Sequence, residues 1–281
     1  MAKRIASTVF LWVVVLAALR IFRTPGAVAL IALCSVLALR EFYRIQAAAG
    51  RAPFARLGMF FGALITAAPW VEERFGRPAH PLLPLAVLVL SVRIIAERPP
   101  EKRVEALSST LFGLVYVALL LQYLVRIVTP LAAGDPCTPD GRLLLCIWLV
   151  AVTKFCDVGA LVTGLLAGRH PMAPQISPKK TMEGAAGGIA TSMLIGALGA
   201  WAARAHAGAD WPAALTPLRA ALVALPLALV GILSDLVESV IKRQAAVKDS
   251  GGGIPGIGGM LDVVDSLLLA APVGYYLLGM R

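Results

Sequence analysis

Long apolar runs separated by short charged loops set the pattern of this chain. They fall at about 5–20, 26–46, 57–71, 81–96, 105–128, 142–166, 184–205, 218–241 and 262–280. Runs of roughly 20 apolar residues match the thickness of a bilayer's hydrocarbon core, so the pattern predicts about nine membrane-crossing helices. The first two are separated by "RIFRTPG", where Pro25 and Gly26 favour a turn. No linker, low-complexity stretch or short repeat interrupts the series. The expectation is therefore one all-α polytopic membrane domain over 1–281, with supporting helices in 1–140 and the chemistry in 141–281.

Composition agrees. Of 281 residues, 59% are hydrophobic and 15% charged, and mean hydropathy is +0.81. Soluble domains carry about a quarter charged residues, so a soluble enzyme or binding module is excluded. The net charge of +10 would suggest a nucleic-acid partner in a soluble protein. In a bilayer it reflects cationic cytoplasmic loops facing anionic headgroups, so membrane lipids are expected as partners and nucleic acid is not. The loop segments 3–4, 40–56, 98–103, 169–180 and 242–248 together hold fifteen Lys and Arg, against eight in the alternate set. The positive-inside rule then places the N-terminus in the cytoplasm and the C-terminus on the opposite side of a plasma (inner) membrane. Cys34, Cys137, Cys146 and Cys156 show no CxxC spacing and read as small apolar residues rather than disulfides or metal ligands. The basic start "MAKRIASTVFLWVVVLAAL" lacks a clear cleavage site and is expected to stay as the first helix.

Three polar clusters lie at or near the expected cytoplasmic face. "KFCDVGALVTGLLAGRH" puts Lys154 and Asp157 inside an apolar span, where a charge must pair or face a wet cavity. One helical turn apart, they can simply pair with each other. Gly159, Gly164 and Gly168 read as helix-packing positions rather than a nucleotide fingerprint. "APQISPKKTMEGAAGG" is a loop entering a helix. Ser177, Thr181 and Glu183 have helix-start chemistry, and Lys179 and Lys180 beside free N–H groups suit a phosphate. Ordinary positive-inside lysines would look the same.

The third cluster, "SDLVESVIKRQAAVKDSGGGIPGIGGMLDVVDS", is the densest. Asp235, Glu238 and Lys242 follow an i, i+3, i+7 spacing and share one helix face. The glycine-rich stretch including Gly258 and Gly259 can wrap an anion. Asp262 and Asp265 then open the last helix on a single face. Carboxylates near cations and an anion-binding loop suit Mg²⁺-assisted phosphoryl or nucleotidyl transfer. A cation-coupled transporter, which also keeps carboxylates at broken helices, is the competing class.

These residues resemble the signature of the phosphatidate cytidylyltransferase (CDP-diacylglycerol synthase) family. Its C-terminal pattern is matched by Ser239, Lys242, Arg243, Lys248, Asp249, Pro255, Gly256, Gly258, Gly259, Asp262, Asp265 and Ser266. "SPKKTMEG" is similar to the family's Ser-Pro-Lys-Lys-Thr-Trp-Glu-Gly, with Met182 in place of Trp, and Asp157, Gly159 and Ala160 match its Asp-Thr-Gly-Ala segment. Ile257 and Val263 stand where the family has His and Arg. The resemblance covers about 150–281; the first half shares only hydropathy and "REFYRI", and no chemistry is assigned to it.

The resemblance implies that CTP and phosphatidic acid give CDP-diacylglycerol and pyrophosphate, with Mg²⁺ as cofactor and the site facing the cytoplasm. Asp235 and Asp262 are the expected principal Mg²⁺ ligands, with Asp249, Asp265 and Glu238 as further ligands or their supports. Ser177, Lys179, Lys180, Lys242, Arg243, Lys248, Gly258 and Gly259 are expected at substrate phosphates, and Asp157 with Lys154 at the cavity floor. A kinase using CTP on a membrane alcohol would share these parts. A homodimer and a second, monovalent cation such as K⁺ are both left open.

Overall fold

A computed structural model describes residues 2–76, 78, 81–96, 100–129, 137–247, 250–251 and 258–279, with the backbone alone for 2–20 and 209. The helices are α1 (Ala2–Ala48), α2 (Ala55–Phe75), α3 (Leu82–Ile95), α4 (Arg103–Gly113), α5 (Leu120–Val128), α6 (Pro139–Ala167), α7 (Met182–His206), α8 (Pro217–Gln244) and α9 (Met260–Leu277). A π-helical stretch, Leu114–Leu119, joins α4 to α5. The protein is an all-α polytopic membrane protein with one small addition, an antiparallel hairpin of β1 (Pro171–Ala173) and β2 (Ser177–Thr181).

All nine apolar runs become helical. Among the described residues, six helical segments are long and apolar enough to cross a membrane: Ile21–Ala48, Pro100–Val128, Pro139–Ala167, Met182–His206, Pro217–Gln244 and Met260–Leu277. Between the runs at 5–20 and 26–46 the expected break is present: Arg23 (φ 47°, ψ −132°) is non-helical inside Ala2–Ala48, so two helical pieces meet there at a kink. Pro25 has no N–H for the turn before it and its ring crowds that turn, so the helix breaks just upstream. α2 is diluted by glycine, Pro69 and the charges Glu72, Glu73 and Arg74, and α3 has only 14 residues.

Packing divides the chain into two units: residues 1–129 with 241–264, and 130–240 with 265–281. α8 and α9 each contribute to both. In the first unit, Tyr43 of α1 is buried between α2 and α4, and its hydroxyl donates to the Thr110 carbonyl at 3.0 Å. The ring fits because Gly58 and Gly113 are glycines: a Cβ at either would lie within 2.5 Å of it. Phe42 beside it is fully buried against Phe112 and Tyr116. These anchors fix the rotation of α1 about its own axis.

In the second unit α6 and α7 pack closely. A Cβ at Gly187 would meet Thr163 Oγ1 at 2.0 Å, and one at Gly188 the Cys156 carbonyl at 2.7 Å. Lipid tails are as apolar as leucine, so helices in a membrane gain little by hiding apolar surface and associate instead through such small-residue contacts. Ser192 Oγ donates to the Val152 carbonyl and Trp148 Nε1 to the Gly196 carbonyl, both at 3.0 Å, which locks the register of the pair. α8 begins at Pro217, with Thr216 Oγ1 accepting the Arg219 N–H.

Candidate active site

The second unit gathers six of the expected polar residues, Lys154, Asp157, Lys180, Asp235, Glu238 and Asp265, into one cluster. Asp235 and Glu238 come from α8 and Asp265 from α9; each offers a carboxylate oxygen, and the three oxygens lie within 4.8 Å of one another. Glu238 is fully buried, Asp265 nearly so, and Asp235 about a quarter exposed. Three anions so close in apolar surroundings repel strongly unless cations join them. Two do. Lys180 of β2 forms an ion pair with Asp235. Lys154 of α6 lies 3.3 Å from Asp265 Oδ1 and 3.4 Å from Asp157 Oδ2, and donates to Ser266 Oγ at 2.6 Å.

Serines complete the frame. Ser266 Oγ sits 3.1 Å from Asp157 Oδ2, and the Ser266 N–H donates to Asp265 Oδ1 at 2.6 Å. Ser234 of α8 enters the backbone ladder of α9: its hydroxyl donates to the Asp265 carbonyl and accepts the Leu269 N–H. Among the described residues, the carboxylates of Asp157, Asp235, Glu238 and Asp265 thus gather around the ammonium groups of Lys154 and Lys180. The carboxylate donors are all hard oxygens. That donor set fits Mg²⁺. The expected Lys154–Asp157 pair is present, but it is one edge of a larger network.

Lys180 enters the cluster because of a strand, which the sequence reading took for a loop. Within β2, Lys180 is half-buried and meets Asp235, while Lys179 is exposed and Ser177 is half-buried. The hairpin is fastened to the start of α7. Thr181 caps that helix through the Gly184 N–H at 3.1 Å, and Glu183 accepts the Arg169 and His170 N–H groups at 3.1 and 3.2 Å.

The first unit holds the other expected residues. Asp262 Oδ1 pairs with Lys242 Nζ at 2.8 Å, and Oδ2 faces the Gly259 N–H and Ser250 Oγ, both at 2.8 Å. Gly258 has a φ of +121°, which only glycine adopts readily. Arg243 is exposed near the end of α8. Lys248 and Asp249 lie outside the described residues. Glu41, to which the sequence reading assigned nothing, is buried here: its Oε2 accepts the Leu261 N–H at 2.7 Å and faces Ser250 Oγ at 3.1 Å. It lies between Arg40 and Arg44 at a charged helix end, so nothing in the sequence singled it out.

Comparison with known proteins fits this arrangement. The profile of the cytidylyltransferase family matches residues 2–280. The chain is 34% identical over 271 residues to a protein of Synechocystis sp. named phosphatidate cytidylyltransferase, covering 88% of this chain and 86% of that one. Proteins of the same name from Thermotoga maritima and Mycobacterium leprae are 29% identical over 201 residues and 33% over 184. The first alignment covers 72% of this chain and 70% of the relative, the second 66% and 53%. With its profile matched along almost the whole length, this chain belongs to the cytidylyltransferase family.

Proposed function

We propose that this protein is a Mg²⁺-dependent phosphatidate cytidylyltransferase of the plasma (inner) membrane, converting CTP and phosphatidic acid into CDP-diacylglycerol and pyrophosphate at a cytoplasm-facing site. The observation that carries this reading is the triad of Asp235, Glu238 and Asp265 beside Lys180, buried among membrane-crossing helices of a cytidylyltransferase-family chain. The names of the relatives support the choice of substrates.

A phosphate monoester is already a nucleophile near neutral pH, so the reaction needs positioning and charge screening more than a strong base. An oxygen of the lipid phosphate bonds to the α-phosphorus of CTP, and the bond to the oxygen bridging the α- and β-phosphorus atoms breaks. Asp235, Glu238 and Asp265 would hold Mg²⁺, which when bound neutralises charge on the triphosphate and the departing pyrophosphate. Lys180 starts on Asp235 and moves its charge to a CTP phosphate. Lys154 stays on Asp265 and Asp157, keeping those carboxylates oriented. Asp262, with Lys242, remains a candidate for a further metal or phosphate contact. Lys179, Arg243 and Lys248 supply positive charge for the lipid phosphate.

Purified protein with α-labelled CTP, phosphatidic acid and Mg²⁺ tests this directly. Labelled lipid and pyrophosphate in equal amounts, both abolished by EDTA, are expected. Release of labelled CDP and an unlabelled phosphorylated lipid would instead identify a CTP-dependent kinase. Absence of pyrophosphate with every anionic lipid removes the proposal.

A further inference from the structure

The first turn of α9 lacks a cap of its own. The helix starts at Met260, and the residue before it, Gly259, has no side chain to accept the exposed N–H groups. Asp262, in the third helical position, reaches back to the Gly259 N–H at 2.8 Å, which is the acidic half of a capping box. The Leu261 N–H is left for a partner from elsewhere, and Glu41 takes it at 2.7 Å from 220 positions earlier in the chain. The same Glu41 oxygen faces Ser250 Oγ, which also faces Asp262 Oδ2, so one hydroxyl proton serves two carboxylates in turn.

Space at this spot is reserved for Glu41. A Cβ on Gly259 would lie 2.4 Å from Glu41 Oε2 and 2.1 Å from Ser250 Oγ, and one on Gly251 2.9 Å from Glu41 Oε1. Phe42 and Tyr43, the next two residues of α1, are fixed in the core of the unit, which sets the direction of the Glu41 side chain. A buried carboxylate on a helix N-terminus also gains from the dipole of that helix.

We propose that Glu41 is a positioning residue for the reaction: it caps α9 from α1 and holds the turn that presents Asp262 and Lys242. The inference uses the cytidylyl-transfer reading only for its kinetic readout; the cap is read separately by hydrogen exchange. Four purified variants test it: E41A, E41Q, G259A and the double variant E41A/G259A. E41A should speed amide exchange in the peptide 258–264 at least tenfold and lower kcat at least tenfold, with KM for CTP changed less than threefold. E41Q keeps an oxygen for the Leu261 N–H and should stay within threefold of the parent in both readouts. G259A, which pushes Glu41 out, should behave as E41A does, and the double variant should be no worse than either single one. If E41A does not fold, E41Q and G259A carry the test. Unchanged exchange in E41A or G259A overturns the cap. A loss of activity that follows only the amount of folded protein, with kcat per folded molecule unchanged, overturns the positioning role. Altered exchange in a protein whose parent makes no CDP-diacylglycerol supports the cap and removes the cytidylyltransferase reading.

Discussion

Lys154 Nζ lies 3.3 Å from Asp265 Oδ1, bringing a cation from α6 onto a carboxylate of α9 within the membrane-crossing part of the second unit. Neither charge is tolerable there alone. Lys154 also holds Asp157 and Ser266, so one ammonium group ties together three polar side chains that the chain contributes from two distant stretches.

Removing that cation should therefore destabilise the fold. Breaking a buried pair from one side costs about 3–5 kcal/mol, because the remaining charge is stranded; here Lys154 is 26% exposed, so roughly 2–3 kcal/mol is expected. Lys154→Met should lower Tm by several degrees, and adding Asp265→Asn should recover part of the loss. A double variant as unstable as the sum of the singles would show that the two charges are uncoupled.

Each triad carboxylate should matter to turnover more than to folding. Asp235→Asn, Glu238→Gln and Asp265→Asn are expected to lower kcat by about 10²-fold or more while the protein elutes as a folded species. Raising Mg²⁺ should recover activity in part for the weakest variant. Asp262→Asn, which keeps an oxygen for the Gly259 N–H, is expected to abolish Mg²⁺-dependent turnover while the protein stays folded; near-normal activity would remove Asp262 from the metal assignment.

The two adjacent lysines of β2 should differ. Lys180→Ala should raise KM for CTP tenfold or more, since its ammonium group sits in the carboxylate cluster. Lys179→Ala should change it less than threefold, because an exposed charge is screened. Equal effects would mean that the strand does not sort them.

The α6–α7 contact is predicted to be intolerant of bulk. Gly188→Val puts a branched side chain where a Cβ alone would stand 2.7 Å from a backbone carbonyl. Overpacking of this kind costs about 1–3 kcal/mol, and Tm in detergent should fall accordingly. Gly208→Ala has open space around its Cβ but a φ of +52°, so it should cost less, through backbone strain alone.

The membrane class, the helical content and most of the polar clusters were legible in the sequence, because burial in lipid demands long apolar runs and makes every intramembrane charge conspicuous. Asp235 with Glu238, and Lys154 with Asp157, could be placed on common faces from helical spacing alone. The count of spans could not: it depends on where each helix ends, and Leu82–Ile95 is only 14 residues long. Nor could the choice between Lys179 and Lys180, which turns on a three-residue strand pairing with a five-residue one.

Glu41 shows the limit most plainly. Its sequence surroundings, "REFYRI", set it between Arg40 and Arg44 at a charged helix end and say nothing of a partner 220 positions away. The sequence by itself determined which residues are too polar to face lipid. Only the tertiary structure decided which distant ones meet, because hydrogen bonds and ion pairs are made over a few ångströms and helical spacing relates only residues within a turn or two of each other.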